Sequence, residues 1–205
     1  MEQKIFSKFN LYDQIGYLMV GAIAVLIIVF DAVYFFQASP PSFTLDMFVI
    51  WLVIVYFAGH LVQGLSNLIN KMPLLKNLIR ENKKGFTEEE KEILNKAKEY
   101  FKIEKQDDDK LWNICYMLAT AKDITGQVQA FNAYYSLYRG WLVVFILQSL
   151  FLIYTLVTYF CWPKLVLLFI SLFLCYIFYS RSKRFWKYTR RKALETFLIV
   201  KTLEL

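Results

Sequence analysis

The sequence predicts an all-α integral membrane protein: four transmembrane helices, a small helical cytoplasmic module between the second and third, and a basic helical C-terminal tail. Two observations carry this prediction. Four apolar runs, 15–37, 47–62, 141–162 and 165–179, interrupt a chain that is 58% hydrophobic and 19% aromatic, and the longer runs approach the roughly 20 apolar residues that cross a bilayer core. The cations are one-sided. Of 24 Lys and Arg residues, two precede the first run, thirteen lie in 67–140, eight follow Tyr179, and only Lys164 lies between the third and fourth runs. By the positive-inside rule both termini and the central segment are cytoplasmic, and the external connections, around 38–45 and 161–164, are only a few residues long.

Residues 1–66 comprise a short cationic start and a transmembrane hairpin. The start followed by an apolar stretch has the outline of a signal peptide, but the run is long and aromatic, and Phe35, Phe36 and Gln37 offer no small residues for cleavage; an uncleaved first helix is expected. Gly16 and Gly21 in the first span and Gly59 and Gly64 in the second let helices approach, although neither pair has the four-residue spacing of the dimer motif.

Residues 67–138 form the module. Met72-Pro73 marks a turn or helix start. Thr87 followed by Glu90 reads as a capping box, with Glu88 and Glu89 at the positive end of the helix dipole, and Ile93, Leu94, Ala97, Tyr100 and Phe101 recur at helical spacing. A second helix is expected to start at Asp107–Asp109, acting as a cap, and to run through Leu111, Trp112, Cys115 and Leu118 toward Asp123. A third begins near Thr125, passes Phe131, Tyr134, Tyr135 and Tyr138, and continues into the third span. Residues 139–181 form the second hairpin, whose last span is short enough to need snorkelling of Lys164 and Arg181. Residues 182–205 form an amphipathic tail whose apolar positions Leu194, Phe197, Leu198 and Leu205 need a partner, either the module or the same tail in another copy.

Polar residues within the spans are the candidate pore or gate. His60, Gln63, Asn67 and Asn70 follow one another at steps of three, four and three and share one helix face; polar groups at that depth are expensive unless they pair or meet water. Interhelical hydrogen bonding explains the stripe structurally, and a pore lining explains it functionally. Asp31 reads as an interfacial residue or as part of an acidic ring at a cation entrance, Asp13 flanks the other end of the first span, and Gln148 interrupts the third. The tail supplies the candidate ligand-binding set, Arg181, Lys183, Arg184, Trp186, Lys187, Arg190, Arg191 and Lys192. Cations interleaved with aromatics bind phosphates and stack rings, and they equally suit a membrane exit facing anionic headgroups.

No enzyme pattern survives inspection. Cys175 and Arg181 have the spacing of a phosphatase loop, but YIFYS between them lacks the glycine of an anion cradle. There is no Gly-rich phosphate loop, HExxH, GxSxG or paired-cysteine zinc spacing. Cys115, Cys161 and Cys175 form no evident framework, and no cofactor or metal is expected. A chain of this size with four spans needs several copies to enclose a pathway; a homo-oligomer, set at a tetramer, is the expectation.

The stretches YDQIGYLMVG at 12–21 and FNAYYSLYRGWL at 131–142 resemble small bacterial membrane proteins encoded beside anti-phage defence genes, most closely the membrane effector of Hailong-type systems and next the four-helix membrane protein of Kiwa. The first resemblance implies an inner-membrane ion channel that depolarises the infected cell, controlled by a single-stranded DNA oligomer from a partner nucleotidyltransferase. The second implies a non-conducting sensor that recruits a cytoplasmic partner.

Overall fold

The computed structural model describes residues 11–41, 44–71, 86–103, 108–122 and 125–203, and among these every regular element is a helix. In chain order they are α1 (Leu11–Phe36), a 3-10 turn (Leu45–Met47), α2 (Phe48–Lys71), α3 (Glu88–Phe101), α4 (Asp108–Lys122), α5 (Gln127–Thr158) and α6 (Trp162–Leu203). The expected turn at Met72-Pro73, Asp107, Asp123 and Leu205 lie outside the described residues, as do the side chains of Asp13 and Asn70.

Four helices, α1, α2, α5 and α6, are long and apolar enough to cross a membrane. Their outward side chains are what an apolar solvent selects: Leu26, Ile28 and Phe30 on α1, Phe48 to Ile50 and Leu52 to Ile54 on α2, Ile153 and Val157 on α5, and Phe169, Ile170 and Phe173 on α6 are all exposed. Exposed apolar surface on this scale is foreign to a water-soluble monomer. The fourth apolar run and the basic residues after it belong to one helix of 42 residues, Trp162–Leu203. α5 likewise carries the third run as far as Thr158, together with the stretch from Gln127 onward, in a single helix of 32 residues.

The chain divides into two compact units, Met1–Arg80 with Ala133–Ser182 and Glu81–Asn132 with Lys183–Leu205. In the first, Val20 and Ala24 of α1, Val62 of α2, and Leu137, Val143 and Val144 of α5 form a buried core. α6 joins through aromatics, Phe178 lying 5.1 Å from Trp141 and 5.5 Å from Phe145 between ring centroids, and through the hydroxyls of Ser149 and Ser171, 2.9 Å apart. Lys164, the one cation outside the basic segments, donates to the carbonyls of Thr155 (3.4 Å) and Tyr159 (3.2 Å). It thereby meets the negative end of α5 and supplies a partner for its terminal acceptors.

The tightest crossing joins α1 to α2. A Cβ on Gly21 would overlap the Val55 carbonyl, and one on Gly59 would overlap the Tyr17 carbonyl, whereas Gly16 and Gly64 have open space around them. The close approach uses one glycine from each helix, which spacing within either helix cannot reveal.

In the second unit, Leu94 and Ala97 of α3, Leu111, Trp112 and Cys115 of α4, and Leu194 and Phe197 of α6 close a core. The apolar face of the tail is therefore covered by α3 and α4 of its own chain. The capping box is present: Thr87 Oγ1 accepts from Glu90 N at 3.3 Å and Glu90 Oε2 accepts from Thr87 N at 2.8 Å. α3 ends at Lys102 in the left-handed region (φ 53°), with Ile103 N donating back to Lys98 O at 3.0 Å, a helix-terminating pattern that satisfies the last carbonyls.

Replacing Gly21 or Gly59 by Ala forces backbone apart and is expected to destabilise the protein by about 1–3 kcal/mol, the usual penalty for overpacking, whereas Gly16→Ala and Gly64→Ala leave it unchanged or slightly more stable. Thermal unfolding in detergent of the four variants checks this; equal midpoints for all four would contradict the crossing.

Candidate functional site

Three polar groupings contain the residues singled out from the sequence. The first joins two of them. Gln148 Nε2 donates to Asp31 Oδ1 at 2.9 Å, α5 to α1, and both side chains are half-buried. Gln148 lies ten residues before the end of α5 at Thr158 and Asp31 five before the end of α1 at Phe36, about 15 Å and about 8 Å of helix at about 1.5 Å per residue. Among the described residues Asp31 has one neutral amide donor, which leaves it incompletely compensated because a carboxylate offers about four acceptor sites.

The second grouping is the stripe on α2. His60 is exposed and stacked on Tyr17, ring centroids 4.1 Å apart, with Tyr56 edge-on at 4.5 Å. Gln63 is buried and its Nε2 donates to the Ser136 carbonyl on α5 at 2.9 Å. Asn67 Oδ1 accepts from Arg139 Nη2 of α5 at 2.6 Å, and the Arg139 guanidinium also lies 5.2 Å from the Tyr135 ring centroid. The stripe thus splits: His60 stays with the α1–α2 aromatics, while Gln63 and Asn67 bind α5. Three buried atoms here, Gln63 Oε1, Ser66 Oγ and Arg139 Nε, have no partner among the described residues. Leaving such a group dry costs about 1–3 kcal/mol. Arg139 and Ser66 were not singled out beforehand; the sequence signal for Ser66 was its place three residues after Gln63, on the same face.

The third grouping is the tail, and the fold sorts its eight candidates. Trp186 packs against Trp112, ring centroids 5.2 Å apart. Arg190 Nε donates to Glu90 Oε1 at 2.9 Å, with the two side chains only 15% and 11% exposed, and its guanidinium sits 5.3 Å from the Phe86 ring centroid. Glu90 therefore serves two purposes, closing the capping box with one oxygen and neutralising Arg190 with the other. Arg191 and Lys192 share Glu195, at 2.8 and 3.7 Å. Arg184 Nε donates to the Tyr188 hydroxyl at 2.8 Å. Lys183 is half-buried, and Arg181, Arg184, Lys187 and Arg191 are the exposed cations of the set. Of these, Arg181 belongs to the first unit, and Arg184, Lys187 and Arg191 belong to the second, at steps of three and four along α6.

Among the described residues no three His, Cys, Asp or Glu side chains gather in a way that could hold a metal ion. Cys115 is enclosed in the core of the second unit, and burial pushes its thiol from 9.0 up to about 11. On α3, Lys96 beside Glu92 holds that exposed carboxyl below its ordinary value, through a 2.8 Å hydrogen bond.

The class of protein these features define is a helical one with four candidate membrane spans, polar interhelical pairs between apolar faces, and a separate small helical core. Compared with protein-family models, with curated proteins and with solved structures, the chain matches none.

Arg190→Gln should lower stability by about 3 kcal/mol because it strands the shielded Glu90 carboxylate, whereas Arg191→Gln, losing a pair exposed to solvent, should leave it nearly unchanged; denaturant or thermal unfolding of both variants distinguishes them. For Cys115, the thiol is neutral in folded and unfolded chains below about pH 9. Between there and about 11 the unfolded chain sheds a proton that the folded chain keeps, so stability falls as pH rises through that window. Thermal midpoints at rising pH for the wild type and Cys115→Ala should therefore converge toward alkaline pH; a constant difference would contradict it.

Proposed function

We propose that the chain is a homo-oligomeric ligand-gated ion channel of a bacterial inner membrane, with both termini cytoplasmic, that depolarises the cell as an effector of anti-phage defence under control of an anionic nucleotide or single-stranded DNA oligomer. One observation carries the channel reading: the Asp31–Gln148 pair, a half-exposed carboxylate in a candidate span that, among the described residues, a single amide hydrogen-bonds. Such a group needs water or another subunit beside it, and copies of this chain arranged about an axis would give it both, as an acidic ring that attracts cations. The exposed cations Arg181, Arg184, Lys187 and Arg191 support an anionic ligand, since polyanion binding rests on phosphate contacts. The DNA oligomer and a partner nucleotidyltransferase rest on the resemblance alone.

A second reading, a non-conducting sensor or scaffold, is favoured by the closed core of the second unit, which offers a folded body for a soluble partner. The two diverge in one experiment. Purified protein in liposomes loaded with a potassium-sensitive dye is expected to pass cations in one state of a titration with short single-stranded DNA, and Asp31→Asn to reduce that flux several-fold with oligomeric size unchanged. A bilayer that stays sealed under every ligand condition rules the channel out, and a stable cytoplasmic partner recovered with an unchanged membrane potential selects the scaffold.

A further inference from the structure

We infer that the α2–α5 crossing contains a hydrated crevice, in which water completes the hydrogen bonds of Gln63 Oε1, Ser66 Oγ and Arg139 Nε. The three atoms are buried and have no partner among the described residues, and the side chains of Gln63 and Ser66 are 5% and 0% exposed. All three residues lie where α2 meets α5. Gln63, Ser66 and Asn67 occupy one face of α2, and that face is tied to a single turn of α5 at two points, Gln63 Nε2 to Ser136 O and Asn67 Oδ1 to Arg139 Nη2.

The mixture of groups selects the occupant. Gln63 Oε1 only accepts, Arg139 Nε only donates, and a hydroxyl does either. A cation would meet the Arg139 charge, and an anion would meet the Gln63 carbonyl oxygen. Water complements all three, and two to four polar partners are what a buried water requires. Gly140 lets Gln63 and Val20 pack closely against α5: a Cβ there would stand 2.9 Å from Gln63 Nε2 and 2.7 Å from Val20 Cγ2, pushing the amide off its carbonyl. By contrast Ser149 and Ser171, equally buried on α5 and α6, satisfy one another and the Phe145 carbonyl and need no water.

The crevice is a property of the protomer and stands whether or not the assembly conducts. Its test is thiol accessibility in full-length protein in liposomes, with Cys115, Cys161 and Cys175 replaced by Ser. Ser66→Cys is expected to react with a small methanethiosulfonate at least about ten-fold faster than Ser149→Cys, because the two positions are buried alike, at 0% and 5% exposure, and water beside the thiol lets it ionise to the reactive thiolate. Gly140→Ala in the same background is expected to remove most of that advantage. Gln63→Cys serves as a second probe should Ser66→Cys not yield a monodisperse protein. Reaction of the α2 thiols no faster than Ser149→Cys overturns the crevice, and liposome flux, measured separately, leaves the two conclusions independent.

Discussion

Polar side chains on helices surrounded by apolar faces must find partners, because the surroundings offer none, and the first unit is organised by that constraint. Its apolar contacts are permissive: Val, Leu and Phe pack at many angles and registers. Its polar contacts are not. Asp31 with Gln148, Gln63 with Ser136 O, Asn67 with Arg139 and Ser149 with Ser171 each have a definite geometry. A helix shifted by one turn would strand several groups at once, and each stranded group weighs heavily where water is scarce. Together these pairs set the register of α5 against α1, α2 and α6, and the Gly21–Gly59 approach sets how closely α1 and α2 lie.

The second unit obeys the opposite rule. Its helices are amphipathic, and Leu94, Leu111, Leu194 and Phe197 leave water together, each removing roughly 1.5–3 kcal/mol of exposed apolar surface. Charge has a subsidiary but specific role there. Glu90 starts α3 by capping it and anchors α6 by holding Arg190, so one carboxylate links the beginning of one helix to the flank of another.

This division of labour within α6 bears on the proposed ligand. A helix that exposes Arg184, Lys187 and Arg191 on one side and packs the partly buried Trp186 and Arg190 and the buried Phe197 on the other presents a cationic surface backed by a core. Binding there would meet preorganised charge, which lowers the ordering cost of association. The same helix also carries the fourth apolar run, a candidate span.

Much of this was legible in one dimension. The four apolar runs, the capping box at Thr87, the helical spacing in α3 and α4, and the unbroken passage of α5 out of Thr125 are local features, and local features follow from residue type and period. The polar stripe on α2 was also legible as a stripe, since i, i+3 and i+7 positions share a face whatever that face meets. Only tertiary structure could decide what it meets, because a partner such as Arg139 lies 72 residues from Asn67 and no periodicity spans that gap. The same holds for Gly21 against Gly59, for Gln148 with Asp31, and for the inward turn of Trp186 and Arg190 in a tail that reads as uniformly basic. Sequence alone determined which residues form helices and which faces avoid water; the choice of partner for each polar group belongs to packing, where distance in space replaces distance along the chain.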